Sequence, residues 1–149
     1  PIRRIDQGWF AGAHADVGGG YEKDSLSLVP LHWMMNRAES VGLRFLRDSR
    51  DRIAEHRDVL GPQHDPRSNL GMFYRYAARD VGAMCRRDGL GPPRVHASVT
   101  ERVRRSRCDL APDVLLPEFV VVDDDGSGTL HPAVAPPTLA FVHTLRLVF

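Results

Sequence analysis

Trp9-Phe10-Ala11-Gly12-Ala13-His14-Ala15-Asp16-Val17-Gly18-Gly19-Gly20-Tyr21 is the stretch on which the reading of this sequence turns. Ile5, Trp9 and Phe10 beside small residues suit a short strand buried on both faces, running into Gly12. Four glycines in the ten positions from Gly12 to Tyr21 exclude a regular element and permit positive φ angles and close backbone approach. The chain there is expected to be a tight loop presenting His14 and Asp16. Ser27 is placed to cap a following helix that holds Pro30 in its first turn, where a missing N–H is tolerated. Leu28, Leu31, Met35 and Ala38 form its apolar face, Arg37 and Glu39 point away, and Gly42 supplies the stop.

Farther along, residues 44–60 mix both charge signs around Phe45, Leu46, Ile53, Val59 and Leu60, which predicts irregular chain with at most one short helix before Gly61-Pro62. Pro66 to Gly71 reads as a turn, and Met72-Phe73-Tyr74-Arg75-Tyr76 as a compact aromatic strand or helix. Val95, Val99 and Val103, four apart, predict a helix. Ala111 to Pro117 is expected to be extended. Phe119-Val120-Val121-Val122, the turn residues Asp125-Gly126-Ser127-Gly128 and Thr129-Leu130-His131 predict a hairpin.

A serine-type triad needs an imidazole near physiological pKa, fixed by a carboxylate and able to take the nucleophile's proton. In the α/β-hydrolase order of serine, acid and histidine, the histidine comes last, on a loop after a late strand. Strand, histidine loop and amphipathic helix stand here in that order. With Leu26-Ser27 and Leu31-His32-Trp33-Met34 added, the opening stretch resembles an uncharacterised α/β-hydrolase domain family related to the catalytic domain of type VI secretion phospholipase effectors. Tyr74-Arg75-Tyr76, Val95 to Val103, and Ala111-Pro112 leading to Leu116-Pro117 extend the resemblance from about residue 4 to about residue 120.

The resemblance implies an α/β fold class, this chain being the C-terminal part of an α/β-hydrolase: late strand, histidine loop, helix, then a mixed helical and hairpin region. It also implies a Ser–Asp–His esterase or lipase in which His14 matches the triad histidine, with an ester or lipid as substrate. The family's serine sits in a Gly-x-Ser-x-Gly-like elbow, and none of Ser25, Ser27, Ser40, Ser49, Ser68, Ser98, Ser106 or Ser127 has that setting. Serine and acid are therefore expected upstream of Pro1, and the isolated 149 residues are expected to be inactive. The alternative is a non-catalytic interaction or anchoring module on a degenerate hydrolase fold.

Asp16, two residues from His14, is expected to bond the backbone N–H groups of the turn. Gly18, Gly19 and Gly20 match neither a dinucleotide fingerprint nor a P-loop and are read as support for that loop. A metal centre at His14 and Asp16 would need further ligands, and His32, His56, His64 and His96 offer no tight spacing, so no metal and no cofactor are expected. Asp123-Asp124-Asp125-Gly126 fails as a calcium loop, because Val121 and Pro132 occupy the first and twelfth positions, and reads as a solvated turn. Arg102, Arg104, Arg105 and Arg107 are read as a solvated helix face that could also meet anionic headgroups. Trp33, Met34 and Met35 are read as packing.

A formal charge of +1, from 20 basic and 19 acidic residues, gives no whole-molecule field for nucleic acid. Cys85 and Cys108 are expected to be reduced thiols. Residues 1–131 are assigned to the hydrolase portion, 132–138 to a proline-rich linker, and 139–149 to an apolar segment that is a final element or the start of a membrane anchor. A membrane surface is thus left open as a partner and the oligomeric state is unassigned. Cytoplasmic synthesis is the default, with membrane association or secretion as an effector the open alternatives.

Overall fold

The computed structural model describes residues 6–64, 80–105 and 118–131. The readings of Ile5, of residues 66–76, of Arg107, Cys108 and 111–117, and of the linker and apolar segment at 132–149 lie outside the described residues. Among the described residues, five helices and three strands follow in chain order: α1 (His14–Gly18), α2 (Leu28–Ser40), α3 (Arg47–His56), α4 (Val81–Arg87), β1 (Arg94–His96), α5 (Ala97–Arg104), β2 (Phe119–Val122) and β3 (Gly128–His131).

The sheet is small and mixed. β1 lies parallel to β2, with Val95 opposite Val121, and β3 returns antiparallel, with Val120 opposite Leu130. The predicted hairpin is therefore present, closed where Gly126, at φ +81, donates its N–H to the Asp123 carbonyl. The expected strand before Gly12 contracts to one parallel bridge: Trp9 donates to the Arg94 carbonyl and His96 donates to the Trp9 carbonyl, each at 2.8 Å. Three chain segments thus run side by side in one direction, and each is followed at its C-terminal end by residues with chemistry: His14 and Asp16, then His96, then Asp124. That edge is where open α/β sheets place their ligands.

Apolar burial holds this arrangement together. Trp9, Val81, Cys85, Val95, Val99 and Phe119 form one core between the sheet, α4 and α5. Phe10, Val17, Val29 and Trp33 form a second beneath α1 and α2, with Phe10 edge-on to Trp33 at 5.5 Å. Each such side chain contributes about 1.5–3 kcal/mol by leaving water.

The structure corrects several readings. The glycine-flanked loop does contain a regular element, because Ala13 to Val17 supply one turn of helix and the Asp16 carboxylate accepts the Ala13 N–H at 2.8 Å. Helix α2 turns a different face inward: Val29, His32, Trp33 and Met35 are buried while Leu31 is 39% exposed. Trp33, wholly buried, brings more apolar area than any leucine of the expected face and sets the rotation. Ser27 stands at the N-cap position but gives its Oγ–H to the Asp24 carbonyl.

The predicted helix from Val95 begins two residues later, since Val95 belongs to β1, and Arg102 within it is buried instead of solvated. Its guanidinium donates to the carbonyls of Val59 at 2.6 Å and Gly61 at 2.9 Å, pinning the segment that follows α3.

Candidate functional site at the C-terminal ends of the parallel strands

His14 is the first residue of α1; its side chain is exposed and makes no hydrogen bond among the described residues. Asp16 turns inward. Gly12, at φ +119, makes room for it, since a Cβ there would lie 2.4 Å from the Asp16 Cβ. With its side chain 1% exposed, Asp16 is a buried carboxylate and needs donors. Besides the Ala13 N–H it accepts the His64 N–H at 3.2 Å, and its Oδ1 lies 2.7 Å from His64 Nδ1. Of the backbone donors expected from the glycine turn, it takes none from Gly18, Gly19 or Gly20. Gly19 and Gly20 instead carry positive φ angles, +82 and +123, that lead the chain away from α1.

The His64 ring is thus held by a buried acid on one nitrogen and stacked on Tyr21 at a centroid distance of 3.7 Å. With Asp16 ionised, Nδ1 is the donor and the lone pair sits on Nε2, which has no hydrogen-bond partner among the described residues. The ring is 31% exposed. Sequence spacing does not reveal this partner, because 48 residues separate it from Asp16.

A second carboxylate–imidazole cluster forms where β1 and β2 end. Asp124 accepts from Arg57 Nη1 at 2.6 Å and meets His96 Nε2 at 3.1 Å. The His96 hydrogen bond, reinforced by Arg57, holds the Asp124 carboxyl well below the usual carboxylate range despite partial burial. His32 stands 3.5 Å from the same carboxylate, but burial and the Arg57 charge lower its pKa, so it is neutral and accepts from Arg57 at 2.9 Å. That approach is no ion pair.

Ser98, His96 and Asp124 stand in hydrogen-bonded sequence, with Ser98 Oγ 2.9 Å from His96 Nδ1. Yet His96 is the N-cap of α5 and its Nδ1 also accepts the Ser98 N–H at 3.3 Å, while Ser98 is only 6% exposed. Both ring nitrogens are committed, so the cluster ties β1, α2, the segment after α3 and the β2–β3 turn into one junction. An open pocket of about 530 Å³ runs past it, lined by Arg57, His96, Ser98 and Asp124. Among the described residues no three of His, Cys, Asp and Glu gather as metal ligands.

A family model described as "T6SS, Phospholipase effector Tle1-like, catalytic domain" matches residues 2–37. The chain is similar to that family across the Trp9–Tyr21 stretch and most of α2; Tyr74 to Tyr76, Val95 to Val103 and Ala111 to Pro117 lie beyond the match. No curated protein and no solved structure matches the chain.

Proposed function

We propose that this chain supplies the acid–base part of a serine-type ester hydrolase of α/β-hydrolase fold acting on phospholipid esters. The observation that carries the reading is the placement of the matched His14–Asp16 loop at the C-terminal end of parallel-running chain, with an exposed imidazole and a buried carboxylate on one helical turn. The same match supports a secreted-effector setting.

In this reading His14 takes the proton of a serine, contributed by residues preceding Pro1, as its Oγ attacks the ester carbonyl carbon. The imidazolium then returns the proton to the departing alcohol, and water, deprotonated by the same ring, releases the acid from the acyl-enzyme. Asp16, with Gly18 to Gly20, shapes the loop that aims the ring.

One observation favours a second assignment of the base within the same reaction. Asp16 bonds His64, not His14, and an acid on Nδ1 with Nε2 left open is the arrangement in which a triad imidazole works. Asp16 also precedes His64 in the chain, as acid precedes histidine in this fold.

Turnover of a short-chain phospholipid by the full-length protein separates the two. His14→Ala is expected to lower kcat by about 10³-fold or more with the fold intact. If His64→Ala does so instead, the base is His64 and the reaction class stands. If both single variants keep near-normal turnover, the hydrolase reading of this loop fails.

A further inference from the structure

The segment between α2 and α3, Val41-Gly42-Leu43-Arg44-Phe45-Leu46, carries four large apolar side chains that stay exposed among the described residues. Val41 is 78% exposed, Leu43 59%, Phe45 41% and Leu46 78%. Scattered apolar residues on a surface need no explanation, but four within six consecutive positions form a patch of the kind that marks an interaction site. Gly42, at φ +98, turns the chain sharply there, and an added Cβ would meet nothing within 4 Å, so the patch is a projecting tip and not the wall of a groove.

Charge decides what the tip fits. Arg44 and Arg47 are exposed among these apolar residues and meet no carboxylate among the described residues, whereas Arg50, one turn on, is paired with Glu39 at 3.2 Å. Along α3 the exposed carboxylates Asp48, Asp51 and Glu55 alternate with arginines, so the excess of positive charge among exposed side chains is confined to Arg44 and Arg47 at the tip. Beside the helix an open groove of about 570 Å³ is lined by Lys23, Asp24, Arg52 and His56 over Leu28 and Ile53, a mixed surface that adds no net preference for an anion. Apolar side chains beside unpaired guanidiniums match a layer in which acyl chains lie beneath phosphates: the former enter the hydrocarbon boundary, the latter bond the phosphate oxygens.

We infer that the 41–47 tip is a membrane-contacting element that docks the protein on an anionic phospholipid surface. The inference goes beyond the hydrolase reading, because docking is measured without turnover.

The test is cosedimentation of the full-length protein with phosphatidylcholine vesicles containing roughly 30% phosphatidylglycerol, an anionic surface. It is paired with the emission of a Phe45→Trp variant. All substituted positions are exposed, so the variants should fold as the parent does. Wild type is expected to pellet, and Leu43→Ser/Leu46→Ser to reduce partitioning at least about 10-fold. Arg44→Gln/Arg47→Gln should lose about 10-fold on the anionic vesicles and nothing on pure phosphatidylcholine. The emission of the Phe45→Trp variant should shift to the blue on vesicle addition.

Absence of vesicle binding by the wild type, or an unshifted emission with the serine variant bound as tightly as the parent, would overturn the inference. So would a serine variant that changes the protein's mass in solution while leaving vesicle binding intact, since the tip would then be a protein–protein contact.

Discussion

Gly12 and Asp16 show how closely the loop is built around one carboxylate. Gly12 takes a φ of +119 that side chains rarely adopt, and its missing Cβ is the space that the Asp16 Cβ approaches to 2.4 Å. Gly12→Ala therefore combines backbone strain with a steric clash and should destabilise the protein by about 2 kcal/mol or more. Gly89→Ala is the control: φ is +66 and an added Cβ would touch nothing within 4 Å, so only the left-handed penalty of about 1 kcal/mol remains. Urea unfolding midpoints of the two variants measure the difference, and equal losses would show that Asp16 does not depend on Gly12. At this scale the sequence is informative about glycine: a run of them beside an imidazole announces special backbone. It cannot say where the Asp16 carboxylate points, because the partner, His64, comes from a segment with no periodicity or motif of its own.

Between elements, the polar junction at Asp124 joins what the sequence keeps apart. The turn Asp123-Asp124-Asp125 reads as solvated, and Asp125, bonded to Ser127, behaves so. Asp124 instead turns inward to Arg57 and His96. Arg102 escapes a sequence reading for the same reason. In a run of arginines nothing local distinguishes the one that points at the Val59 and Gly61 carbonyls. The faces of α2 are likewise decided by Phe10 against Trp33, a contact between elements. By contrast the ends of α2 and the β2–β3 hairpin are legible, because glycine stops and turn chemistry act within a few residues.

The junction has a pH signature. The Asp124 pKa is lower folded than unfolded, so its contribution to stability is present above the ordinary aspartate range near 3.9 and fades as pH falls through that range toward the folded value. Asp124→Asn should cost about 1–2 kcal/mol at neutral pH. The gap between wild type and variant, followed by denaturant unfolding, should hold from about pH 7 to pH 5 and shrink below about pH 4. His32 is lowered chiefly by burial but held up by Asp124 itself, so the variant would lower it further; both proteins are therefore compared in a His32→Gln background, where the difference isolates Asp124. A gap that widened on acidification would contradict the ionised junction.

Across the whole molecule, three parallel-running segments deliver His14 and Asp16, His96 and Asp124 to one edge, while the apolar tip at 41–47 projects from the α2–α3 connection. The family match covers the first of these segments, through residue 37. Local pattern identifies that loop from its own residues; the pairing of Asp16 with His64 and the uncovered tip are products of tertiary placement. Central to the proposed function is that this edge serves ester hydrolysis through an imidazole, either His14 on the loop or His64 held by the loop's Asp16. The most direct measurement is kcat for phospholipid ester hydrolysis by the full-length His14→Ala/His64→Ala double variant, with its unfolding midpoint checked alongside. A loss of about 10³-fold or more at an unchanged fold is predicted. Turnover within about 3-fold of the wild type would contradict the proposal, since a triad imidazole cannot be removed with so small a loss.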